Sequence, residues 1–93
     1  MVIGILTVKL HIPHSNSLKS KRMVIKSLKD RLRNRFNVSI SEIDCQDKWQ
    51  LAVIALANIS TDKVSIDSLL SKALNFIYDF KEAEVLDHQL QLF

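Results

Sequence analysis

Ninety-three residues, 47% of them hydrophobic, are enough for one compact domain spanning 1–93 and too few for two. The longest apolar runs, Val2 to Val8 and Leu51 to Ala57, fall far short of the roughly 20 residues a membrane-crossing helix needs. A single cysteine, Cys45, excludes an internal disulfide and, with no basic-then-apolar leader in the sequence, sets the expectation of a soluble cytoplasmic protein. The net charge of +3 conceals an asymmetry: residues 1–38 carry nine cations and one acid, residues 39–93 four cations and nine acids. Such a chain is electrically two-sided and attracts anionic partners to one surface.

In chain order, Val2 to Ile12 alternates as a strand. Val2, Leu6, Val8, Leu10 and Ile12 share one face, and Ile3, Ile5, Thr7, Lys9 and His11 the other. Pro13 ends it. Ser17 is placed to cap a helix over about 18 to 36, in which Leu18, Ile25, Leu28, Leu32 and Phe36 recur at helical spacing, with Val24 widening the stripe. Val38 and Ile40, with Ile43 out of phase, predict a second strand bulged near Ser41 and Glu42. Trp49 to Ile59 is apolar on both faces and reads as a central strand. Val64, Ile66, Leu69, Leu70, Ala73, Leu74, Ile77 and Phe80 predict a second helix over about 62 to 80, capped by Ser60, Thr61 or Asp62. Leu86, His88, Leu90 and Leu92 alternate as a last strand. The order βαββαβ predicts an α+β, ferredoxin-like fold: a four-stranded antiparallel sheet in the order 4-1-3-2 with both helices on one face.

The run "HIPHSNSLKSKRMVIKSLKDRLRNRFNVSISEIDCQDKWQLAVIALANIS" resembles the YlxP-like family of small bacterial proteins. There a strand ending in an "hIP" step leads into "SLKxKRxxxxSLKDRLRxRFNVSxxE" and then "QDxWQ". The resemblance covers more than half the chain and implies the ferredoxin-like fold. It also implies genes lying beside those for transcription elongation and translation initiation factors, and so an RNA or ribosome connection. The family has no assigned biochemical activity, and the resemblance names no catalytic residue.

Residues 17–37 hold eight of the thirteen basic side chains: Lys19, Lys21, Arg22, Lys26, Lys29, Arg31, Arg33 and Arg35, with Asp30 the one acid among them. At 100° per residue, Lys19, Arg22, Lys26, Lys29 and Arg33 fall in an arc of roughly 80° beside the apolar stripe. Their mutual repulsion costs about 1 to 2 kcal/mol in total. Cations in the first turn also oppose the helix dipole. A run of one sign that weakens its own helix points to phosphate contact, with a merely solvated face as the plain alternative. Ser15, Asn16 and Ser17, with free backbone N–H groups and Lys19 or Lys21, could hold one phosphate at the helix start; more simply, Ser17 only caps the helix. Arg31, Arg33 and Arg35 offer planar forks for phosphate, although Arg35 could pair with an acid elsewhere.

The strands lack the stacking aromatics of a sequence-reading RNA sheet. Only Trp49, a stacking group or a core or interface anchor, stands at a strand edge. Binding is therefore expected through helix and backbone phosphate, with little base reading. Ile3, Ile5 and their neighbours on the third strand would leave an apolar sheet face for a homodimer to cover, face to face or through an edge.

No Ser or Cys stands in a nucleophile-and-base pattern, and Asp44 and Asp47 beside Cys45 oppose a reactive thiolate. His11, His14 and His88 fall short of a metal site, since at most His11 and His88 could lie side by side. The loop "PHSNS" lacks the Cys-x-x-Cys of a copper carrier and the glycine-rich phosphate loop of an acylphosphatase. The expected protein is a non-enzymatic RNA- or ribosome-associated module without cofactor or metal. The rival reading is an adaptor docking an acidic protein of the transcription or translation machinery; an uncharacterised enzyme is a minor third, since fold alone implies no activity.

Overall fold

In the computed structural model, which describes residues 1–93, the six expected elements form in the expected order. They are β1 (Val2–His11), α1 (Leu18–Arg35), β2 (Ser39–Asp44), β3 (Leu51–Ser60), α2 (Lys63–Tyr78) and β4 (Glu84–Leu92). The strands make one antiparallel sheet in the order β2-β3-β1-β4, which is 4-1-3-2 read from the other edge. Both helices cover one face, giving the α+β ferredoxin-like arrangement.

Alternation decides the faces. Leu6, Val8 and Leu10 of β1, Ala52, Ile54 and Leu56 of β3 and Ile40 of β2 join Ile25, Leu28 and Leu32 of α1 and Ile66, Leu70, Ala73 and Ile77 of α2 in one buried cluster. Ile12 and Phe80 belong to that core although they lie just beyond β1 and α2. Asp62 is the cap of α2. Its carboxylate accepts from the Ser65 hydroxyl (2.9 Å) and the Val64 N–H (3.0 Å), and these bonds hold it below its ordinary pKa of 3.8. A carboxyl whose folded pKa is lowered contributes stability above the unfolded value and loses it as pH falls through the folded one.

Several boundaries differ from the periodic reading. Trp49 and Gln50 stand outside β3, where the chain bends before pairing starts at His11 opposite Leu51. The irregularity in β2 falls between Glu42 and Asp44, so Ile43 is the residue pushed out of register. β4 carries a bulge at Leu86, because Lys9 pairs with Asp87 while Leu10 pairs with Val85. The bulge restores alternation, so that Val85 and Leu92 are half-buried against the core while Leu86 stays exposed.

Gly4 marks the closest approach of α2 to the sheet. A Cβ there would stand 2.2 Å from Ile66 Cγ2 and 2.9 Å from Leu70 Cδ1. Both are buried methyls that cannot move aside without disturbing the core. Gly4→Ala is therefore expected to destabilise the fold by about 1 to 3 kcal/mol through overpacking, seen as a lower midpoint in urea with an unchanged m-value.

Candidate nucleic-acid interface

Ser17 caps α1, its Oγ accepting the Ser20 N–H at 3.0 Å, and no acid follows in the first turn. The buried side of the helix is Lys21, Ile25, Leu28 and Leu32. Lys21 is 1% exposed, so its placement among the phosphate-contacting cations is corrected. Its ammonium lies 2.8 Å from Glu42 Oε2 and donates to the Cys45 carbonyl oxygen. Glu42, paired with Ile54 in the register of β2 and β3, points to the helix side of the sheet with its side chain 15% exposed. Its Oε2 accepts no hydrogen bond of normal angle, so the ammonium holds it by charge. This pair was not foreseen from the sequence. Its signal was phase, since Lys21 lies four residues before Ile25 and falls inside the apolar arc between Leu28 and Leu32.

The remaining cations divide three ways. Arg31 lies over the Phe80 ring at 5.6 Å and Arg35 over Phe76 at 5.1 Å, which seals the α1–α2 seam while leaving their guanidinium edges free. Lys26 and Arg33 share Asp30, at 2.8 and 3.5 Å, and Arg33 also donates to the Ile40 carbonyl oxygen at 3.1 Å. The hydrogen bond from Lys26 is the first reason that the Asp30 carboxyl lies below its ordinary 3.8. Lys19 and Arg22, exposed, and Lys29, half-buried, have no acidic partner. With Lys26 and Arg33 they form the expected stripe, about 21 Å from end to end at 1.5 Å per residue. On the other flank of α1, at its C-terminal end, Arg35 lines a groove of about 580 Å³ together with Lys72 of α2, a cation that no local pattern pointed to.

The phosphate cradle expected at the helix start is filled by the chain itself. Ser15 is 2% exposed, and its hydroxyl donates to the Ser17 carbonyl oxygen at 3.2 Å, while Gln50 Nε2 donates to the Ser15 carbonyl oxygen at 3.1 Å. With Ser17 engaged as the cap, Asn16 alone of the three is exposed. Both serines are thus corrected from ligand to structural roles, because a buried turn must satisfy its own polar groups. Trp49 is 55% exposed and is no core anchor. His11 lies on the open face, 3.4 Å from Glu84, whereas His88 lies on the helix face in an edge-on contact with Tyr78, so the two imidazoles cannot converge. No group of three or more His, Cys, Asp or Glu side chains is placed to hold a metal ion. No helix is long and apolar enough to cross a membrane.

Comparison with known proteins gives a family and a likeness in fold. The sequence model of a family described as "Protein of unknown function (DUF503)" matches residues 3–90. The "Uncharacterized protein YlxP" of Bacillus subtilis (strain 168) is 41% identical over 83 residues, covering 89% of this chain and 90% of that protein. Among solved structures, "De novo designed protein Foldit4" superposes with a TM-score of 0.56 at 12% identity, covering all of this chain and 97% of the design. That likeness concerns the fold alone.

Removing Lys21 leaves the Glu42 carboxylate inside the fold without its counter-charge. Lys21→Ala is expected to cost about 3 to 5 kcal/mol. The double variant Lys21→Met with Glu42→Leu, which removes both charges, should recover most of that loss in chemical denaturation, whereas an exposed lysine would give little effect in either background.

Proposed function

The chain belongs to the DUF503 family of proteins of unknown function, and within it we propose that this protein is a non-enzymatic, cytoplasmic RNA-associated module. The outer face of α1 contacts the phosphate backbone of ribosomal or other structured RNA. The observation that carries this reading is the stripe of Lys19, Arg22, Lys26, Lys29 and Arg33, three of whose members have no acidic partner anywhere in the fold. Five cations against the single Asp30 leave a surface whose missing counter-charge a polyanion supplies. Release of the counterions condensed on that polyanion drives the association.

The chemistry of the face favours backbone contact. Arginine and lysine along a straight helix meet phosphates spaced along one strand, and no aromatic side chain on the stripe offers a platform for a base. Arg31 and Arg35 present their free edges on the other flank of the same helix, with Lys72 near the second. Recognition is then by shape and charge, with little dependence on sequence.

The test variant is Lys19→Gln, Arg22→Gln and Lys29→Gln together, which leaves the Lys26–Asp30–Arg33 cluster and the buried residues untouched. The parent is expected to bind structured RNA with a log–log salt slope of roughly −2 to −4, for three to five phosphate contacts. The triple variant should bind more than tenfold more weakly, with a melting temperature unchanged or raised because like-charge repulsion is relieved. A parent that binds no RNA at low salt, or a variant that binds as the parent does, overturns this reading. Recovery of the protein from cells with an acidic protein partner and without nuclease-sensitive RNA would favour the adaptor reading instead.

A further inference from the structure

The open face of the sheet is a surface that the chain leaves without a partner. Register and alternation put Ile3, Ile5 and Thr7 of β1 there, opposite Ile59, Ala57 and Ala55 of β3, with Val53 and Leu51 continuing along β3. Ile59 is 58% exposed and the others are half-buried, since only neighbouring side chains cover them. The centre is flat, because Thr7, Ala55 and Ala57 are small. The charged groups gather at the opposite end, where Lys9 pairs across the strands with Asp87 and His11 with Glu84.

We infer that this face is the interface between two copies of the chain, stacked sheet against sheet. The two edges of the sheet are guarded where the face is not. Reciprocal bonds between Ile3 and Phe93 direct the N–H groups of Gln91, Gln89 and Asp87 toward β1, and therefore that of His88 toward the free edge. That outward N–H is already taken by Asp87 Oδ1 at 2.9 Å, and the bulge at Leu86 interrupts the same edge. The other edge is the six-residue β2, broken at Ile43. Short, bulged and self-satisfied edges resist strand addition.

The chemistry of the face selects the occupant. Lys9 and His11 are each balanced by a neighbouring acid and no aromatic side chain lies among these residues, so a polyanion gains nothing there. A flat, apolar and nearly neutral surface is complementary to itself. Strands of ten, six, ten and nine residues give the face a footprint of roughly 550 Å². Two copies therefore remove at most roughly 1,100 Å² from water, close to the lower limit of about 1,000 Å² for a specific interface. Aligned sheets pack about 10 Å apart with strands near 30°. A two-fold axis along the strand direction lays Ile3, Ile5 and Ile59 of one copy on the same residues of the other and leaves both charged ends at the rim. The helices lie on the outer sides of this four-layer assembly, so both basic stripes stay open to solvent, and the dimer does not depend on what they bind.

Sedimentation equilibrium of the full chain at high micromolar concentration is expected to give the mass of two chains. Ala57→Lys with Ile59→Lys should weaken self-association at least tenfold with an unchanged circular dichroism spectrum, whereas Leu90→Lys on the β4 edge should leave it intact. Should the face variant fail to fold, Ala57→Cys in a Cys45→Ser background provides a second measurement. Its maleimide labelling at high micromolar protein is expected to be at least tenfold slower than at nanomolar protein. A parent with the mass of one chain, a dimer that survives the face charges or is lost with Leu90→Lys, or a labelling rate independent of concentration overturns the inference.

Discussion

A buried ammonium cannot be left unpaired, and the fold is arranged around that constraint at Lys21. Removing the charge from water costs several kcal/mol, which only close and well-placed partners offset. Two come from β2 and the turn after it: the Glu42 carboxylate and the Cys45 carbonyl oxygen. Cys45 has φ of 62°, a left-handed conformation that costs a non-glycine residue about 1 to 2 kcal/mol. Its carbonyl oxygen also accepts the Lys48 N–H at 3.0 Å, so the turn is held from both sides. The first turns of α1, the edge strand β2 and the β2–β3 turn are thereby joined at one point. That junction sets the rotation of α1 about its axis, and with it the direction in which the cationic stripe faces.

The basic residues of α1 differ in what the fold already asks of them. Lys21 belongs to the core. Arg31 and Arg35 lie on phenylalanines at the seam with α2, where their stems cover apolar surface. Lys26 and Arg33 lean on one acid that neutralises only part of their charge. Lys19, Arg22 and Lys29 form no ion pair or side-chain hydrogen bond within the chain, and it is this remainder, along one row of the helix, that motivates the proposed RNA surface.

The sheet separates two kinds of surface. Its helix side is a continuous core in which Gly4 lets α2 settle against β1. Its open side is apolar through the two central strands and polar toward both edges, a pattern suited to another flat sheet and unsuited to nucleic acid. Polyanion contact on the outer helix and self-association on the opposite face do not compete for the same residues, which makes a two-fold assembly carrying two outward stripes physically consistent.

Much of this was legible in the sequence because it depends on local period. The alternation in Val2 to Ile12, the two-sided apolarity of β3 and the helical spacing of Ile25, Leu28 and Leu32 suffice for element type, order and sheet topology. The outward stripe follows from 100° steps along one helix. Lys21 was misread by charge although its phase placed it in the core, and only register could show that Glu42 waits on the facing strand. Ser15 reads as a phosphate ligand at the helix start, yet the packing of Gln50 and the turn onto it removes it from solvent. His11 and His88 read as neighbours, and their ladder positions put them on opposite faces of the sheet. Trp49 reads as a strand residue, and the bend before Leu51 leaves it in water. The sequence by itself determined which residues are periodic and where charge accumulates, because those properties are written in spacing along one element. The tertiary structure alone decided that Lys21 is consumed inside the fold and that Arg31 and Arg35 lie on the seam, because those contacts join residues twenty or more positions apart.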